Sequence, residues 1–132
     1  MANTSLPLNP SRQYPLTAEV TIGVANMNES TVPVAAIKLP VGAVVTGGAV
    51  IVDTAFDAAT ATVNVGDATT AARYKSAVNV AATGLTALVP TGYVSNGAPI
   101  QVVPTFADPV TVGSLRLQVT YTINGRANEA QP

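Results

Sequence analysis

Residues 112–123, VGSLRLQVTYTI, restrict the fold more than any other part of the chain. Leu115, Leu117, Val119, Tyr121 and Ile123 alternate strictly with Ser114, Arg116, Gln118, Thr120 and Thr122. A period of two belongs to a strand with one buried and one wet face, whereas a helix repeats its apolar residues three and four apart. The run stops at Asn124-Gly125, a strong turn dipeptide, and a polar tail follows. The chain is therefore expected to be a β-protein, with this strand spanning its core.

The same reading carries along the rest of the sequence. Residues 17–24 alternate in the same way, with Ala18, Val20, Ile22 and Val24 on one side. Residues 32–39 read as a second strand that Pro33 assigns to a sheet edge. Ala43–Thr54 is a long apolar run split by Gly47-Gly48, the mark of a bulge or bend in a buried strand. Residues 61–65, 78–82, 85–89 and 100–106 supply further short strands separated by Gly, Pro, Asn and Asp turns. Residues 67–75 are the one helix candidate, with alanines favouring it and Asp67 at its cap. About eight short strands, with turn signals every 8–12 residues and no βαβ pattern, point to an all-β, single-domain antiparallel β-sandwich of jelly-roll-like form. The expected organisation is an extended N-terminal arm over residues 1–16, the sandwich over 17–126 and a polar tail over 127–132.

Charge limits the surface. Only 10% of residues are charged, against roughly 25% in ordinary soluble domains, and the net charge is −1. Such a monomer has little electrostatic protection against association, so much of its surface reads as meant for copies of itself or for a partner. Residues 76–107 carry no charge at all. Their prolines, glycines and polar residues break the roughly 20-residue apolar run that a membrane helix needs. No leader-like segment is visible at the N-terminus, MANTSLPLNPSRQYP.

Chemistry is sparse. The chain has no Cys and no His, which removes disulfides, thiol catalysis, Ser-His-Asp systems and the usual transition-metal ligands. Asp53, Asp57 and Asp67 fall close together in sequence, but no Asp-x-Asp loop occurs, and turn and loop capping explains these aspartates better than a calcium site. The absence of Trp argues against a sugar-stacking cleft around an acid pair. The basic residues are scattered, with Arg73-Tyr74-Lys75 the one local group, so no footprint for nucleic acid is present. No catalytic, cofactor or metal site is expected, and no nucleic acid, membrane or small-molecule partner.

Partner contacts are a different matter. Pro7, Pro10 and Pro15 hold residues 1–16 extended. Two readings stand for this arm: a frayed terminus, or a strap that orders on a neighbouring subunit, with Leu6, Leu8 and Tyr14 as apolar anchors and Arg12 beside them. A partner's carboxylate is within reach of Arg116 and Arg126, but exposed solvation is the favoured reading for each alone.

A resemblance adds to this. LPVGAVVTGGAVIVDTAFDAATATVNVGD over residues 39–67 is followed by Arg73-Tyr74, by Pro90-Thr91-Gly92-Tyr93 and by LRLQVTYTINGRANEAQP at the end. This ordered set resembles small virion structural proteins of tailed bacteriophages, of the capsid decoration or cement type, from about residue 39 to residue 132. The motifs are turns, a bulge and a terminal strand, and carry no catalytic residue. The resemblance implies a non-enzymatic homo-oligomer, dimer or trimer. It would bind major capsid protein on the outer surface of an icosahedral head, after assembly in the host cytoplasm, and clamp the shell. A head-fibre or tail-associated adhesion module is the runner-up, and a small glycan-cleaving enzyme on a β-scaffold comes third.

Aspartate at Val119 or at Tyr121 should prevent folding, since both are expected to face the core. Circular dichroism of the two purified variants checks this, and a wild-type-like spectrum would mean that the strand's buried face is the opposite one.

Overall fold

A computed structural model describes residues 3–5, 13–107 and 109–123. Its eight strands are β1 (Leu16–Gly23), β2 (Val34–Ile37), β3 (Ala43–Thr54), β4 (Thr62–Gly66), β5 (Lys75–Asn79), β6 (Gly84–Ala87), β7 (Ile100–Thr105) and β8 (Ser114–Ile123). They form two antiparallel four-stranded sheets, ordered β1-β8-β3-β6 and β2-β7-β4-β5. The pairings nest. β4 pairs with β5, β3 with β6, β2 with β7 and β1 with β8. One long hairpin, turning at residues 67–74, is thus wound so that each leg steps between the sheets, which is the eight-stranded jelly roll. The all-β sandwich expected from the sequence is the observed fold.

The alternation in β8 sets the core. Leu115, Leu117 and Val119 are fully buried, and their partners in the ladder, Val50 and Val52 on β3 and Ile22 on β1, lie on the same inner face. The second sheet returns Val63, Val65, Val78, Ile100 and Val102 from its own inner positions. Tyr121 is half-buried and packs on the rim of this core, so the strand enters the core at Leu115 and leaves it toward Ile123. Val119 is therefore the more sensitive of the two positions.

The Gly47-Gly48 pair is a bulge. The β3–β8 register shifts between Val45 and Gly47, with Thr46 as the extra residue. Gly48 has φ +135°, and a Cβ there would sit 2.2 Å from the Gln118 carbonyl oxygen. Gly47 has open space around the same direction. β2 is an edge strand, as Pro33 predicts. β7 is central yet contains Pro104, because β2 ends its pairing at Val102. Pro104 needs no ladder donor on that side, and its carbonyl accepts the Thr31 N–H at 2.7 Å instead.

The helix expected over residues 67–75 is not formed; the described residues contain no helix at all. The loop must bring Tyr74 N–H back to Val65 O at 2.9 Å so that β5 can start beside β4. It folds so closely over Gly66 that a Cβ there would lie 2.3 Å from Thr70 O. Closure of this hairpin overrides the alanines' helix propensity.

Gly48→Ala should cost about 3 kcal/mol, from a positive φ combined with a backbone clash. Gly47→Ala should stay within about 1 kcal/mol of wild type. Urea unfolding midpoints of the two variants test the pair, and equal losses would contradict the bulge geometry.

Candidate partner-binding surfaces

The jelly roll has two ends. The loops of residues 24–33, 55–61, 80–83 and 106–113 meet at one. There Asp57 accepts hydrogen bonds from Thr111 N–H, the Thr111 hydroxyl and Val112 N–H, and joins the β3–β4 loop to the β7–β8 loop. The Thr111 hydroxyl, followed by its N–H, holds the Asp57 carboxyl below the usual carboxylate range.

The loops of residues 38–42, 67–74 and 88–99 meet at the other end, together with the start of β1 and the finish of β8. Here Gln13 acts as a backbone mimic. Its side-chain amide donates to Ile123 O and accepts from Ile123 N–H, both at 2.8 Å, which adds a rung beyond the β1–β8 ladder. Ser95 exchanges backbone bonds of 2.8 Å with Gly42 N–H and Ala43 O, and pins the β6–β7 loop against the start of β3. Val41 and Val94 stand out beside this junction, 72% and 50% exposed, and Tyr14 is 65% exposed next to Gln13. Lys38 is exposed on the same end.

Asp67 organises this end from within. Its Oδ1 accepts the N–H groups of Thr69 and Thr70 at 3.0 and 2.8 Å, and its Oδ2 accepts Arg73 Nε at 2.6 Å. The Arg73 guanidinium also lies 3.5 Å over the Tyr93 ring. The β4–β5 and β6–β7 loops are thereby joined through one buried carboxylate and one stacked cation. Burial pushes the Asp67 carboxyl up, but the Arg73 hydrogen bond, the Thr70 N–H and the Arg73 charge outweigh it, and its pKa lies below the ordinary value.

The outer face of the β1-β8-β3-β6 sheet is divided. On one half, Arg116 grips Asp53 through Nε–Oδ2 at 2.8 Å and Nη2–Oδ1 at 3.1 Å, and Glu19 through Nη1 at 3.0 Å. Both acids are diagonal neighbours across the ladder, from β3 and from β1. These side chains are about 40% exposed, so the pairs contribute at most about 1 kcal/mol each. Arg116 is thus held within its own chain by two carboxylates, in place of both the exposed solvation favoured for it and the partner contact weighed against that. On the other half, Ile51, Leu85, Ala87 and Val89 form an aliphatic strip along β3 and β6.

Of the expected contact residues, Tyr14 is exposed at the end of the roll where β1 begins, while Leu6, Leu8, Arg12 and Arg126 lie outside the described residues. The neighbouring aspartates do not converge. Asp53 is in an ion pair, and Asp57 and Asp67 tie loops at opposite ends. Among the described residues no group of three or more acidic, His or Cys side chains could hold a metal, and no cavity opens. Val41, Val94, Leu85 and Val89 were not singled out from the sequence. An outward valine in a strand or turn has the same local pattern as an inward one, and only the charge-free stretch of residues 76–107 marks three of them.

Asp67→Ala should cost about 2–4 kcal/mol, since it leaves Arg73 unpaired and two loop N–H groups unsatisfied. The lowered pKa gives a sign: Asp67 contributes its full stability above the unfolded-state carboxylate pKa and loses it as pH falls through the lower folded value. Thermal melts from neutral pH into acid should therefore show a wild-type loss that the Asp67→Ala variant lacks in part.

No protein-family model matches the chain, and no curated protein matches it either. Among solved structures it is similar to a chain of the cyanophage Pam1 capsid asymmetric unit, with a TM-score of 0.71 and 24% sequence identity. The match covers 92% of this chain and 94% of that chain, and it shows a common fold over nearly the whole of both.

Proposed function

We propose that this protein is a non-enzymatic decoration or cement protein of a bacteriophage head. In this reading it is a homo-oligomer, dimer or trimer, on the outer surface of the icosahedral shell, where it stabilises contacts between major capsid proteins. The observation that carries the reading is the shared jelly roll with a chain of a cyanophage capsid asymmetric unit, nearly end to end in both chains. The chemistry agrees with it. Glu19, Asp53, Asp57, Asp67, Arg73 and Arg116 serve ion pairs and loop ties, and apolar side chains stand exposed at the end where β1 begins and β8 finishes.

That end is the natural contact with the shell. Tyr14, Val41 and Val94 offer apolar area there, and the arm of residues 1–16, with Leu6, Leu8 and Arg12, acts as the strap. Arg126 adds a cation at the opposite terminus. Stabilisation works by mass action: a protein that binds the assembled shell and not its separated subunits shifts the equilibrium toward assembly. Many such copies on one lattice add their small contributions through multivalency.

Cryo-electron microscopy of the parent virion tests the reading. The expected result is density for this chain at every equivalent junction of the head, with the β1-start end toward the shell. A few copies confined to the tail or to one vertex would overturn it in favour of the fibre or adhesion class.

A further inference from the structure

The geometry points to a latent modification site: we infer that Asn96-Gly97 is a self-deamidating pair that Ser95 holds inactive while the β6–β7 loop stays in place. The inference lies beyond the capsid reading, and its chemistry does not depend on it.

Asparagine followed by glycine is the dipeptide most open to this reaction, because glycine has no side chain to obstruct ring closure. The Gly97 backbone nitrogen gives up its proton and bonds to Asn96 Cγ. The Cγ–Nδ2 bond breaks, and Nδ2 leaves as ammonia with a proton in place of that bond. Water then opens the five-membered succinimide at either carbonyl, to aspartate or isoaspartate. The balance is one water consumed and one ammonia released, with no change of oxidation state. Asn96 is exposed, so water reaches it. The fold itself calls for the glycine: Gly97 has φ +96°, and a Cβ there would sit 3.1 Å from Val41 Cγ2. The turn that closes this loop therefore installs the reactive pair. Asn64 and Asn79 are each followed by valine, whose branched side chain obstructs the same ring closure.

The hydrogen bonds around the pair oppose the reaction. Gly97 N–H donates to Ser95 Oγ at 3.0 Å, so the proton that must leave is held. Asn96 Oδ1 accepts Ala98 N–H at 3.1 Å, which keeps the side-chain amide turned toward residue 98. Ser95 is itself fixed. It is 4% exposed, donates its N–H to Ala43 O and accepts Gly42 N–H at its carbonyl, both at 2.8 Å. A serine pinned to the start of β3 thus restrains the amide two residues on. Release of the loop frees all of these groups together, so the reaction records how often the loop opens. Its product is a carboxylate two residues from Val94 and beside Val41, on a surface that is otherwise apolar there.

The test incubates three samples at mildly alkaline pH: the folded full chain, the same chain in concentrated urea, and folded Ser95→Ala. The tryptic fragment of residues 76–116 is followed by mass and isoaspartate content, with the site assigned by fragmentation. Asn96 of the folded wild type should react at least about tenfold more slowly than Asn96 in urea. Ser95→Ala, with its fold checked by circular dichroism, should react about fivefold or more faster than the folded wild type, as expected for the loss of one restraining hydrogen bond. Equal rates in the folded and unfolded wild type would overturn the proposal, and that comparison needs no variant to fold. A folded Ser95→Ala that reacts no faster than wild type would overturn it as well. Both results are read on the isolated chain, so they are separate from whether virions carry the protein.

Discussion

The structure depends on the packing of one row of side chains: Leu115, Leu117 and Val119 on β8, none of which has any exposed surface. β8 pairs with β1 on one side and β3 on the other, so its register fixes the whole first sheet. A slip by one residue would turn this row outward and bring Arg116 and Gln118 into the core. Arg116 in turn rests on the outer face between Glu19 and Asp53, and the same register that buries the leucines is the one that lines up those two acids. Core and surface are therefore set by a single alignment.

The bulge at Thr46 lets the long β3 follow β8 without breaking that alignment. Twelve residues of β3 run against ten of β8, and the shifts near Thr46 and Asp53 absorb the difference. Gly48 permits the closest approach, directly against the Gln118 carbonyl. The cost of a glycine in a strand is offset here by the backbone contact it allows.

Six of the charged side chains have a structural task. Asp67 and Arg73 lock two loops, Asp57 joins two others, and Arg116 bridges three strands. The exposed large apolar side chains are spread over three places: Tyr14, Val41 and Val94 where β1 starts and β8 ends, Val32 and Val112 at the other end, and Leu85 and Val89 along β6 and just past it.

The period-two alternation by itself determined the fold class and the buried face of β8, because side chains on a strand must alternate between faces whatever lies around them; Pro33 marked the edge position of β2 and Gly47-Gly48 the bend in β3. Asp57 and Asp67 were legible as loop caps for a similar reason, since short polar side chains bond to nearby backbone, whereas Asp53 caps nothing and pairs with Arg116. Tertiary structure decided the rest. The loop of residues 67–74 is not a helix, because closing a hairpin between β4 and β5 outweighs local propensity. Arg116 is not free, because its two acid partners lie 63 and 97 residues away in the chain. The sequence could not tell Val94 and Leu85, which stand outside, from Val102 and Leu88, which lie inside. A local pattern states which residues share a face; only the packing of two sheets states which face is covered.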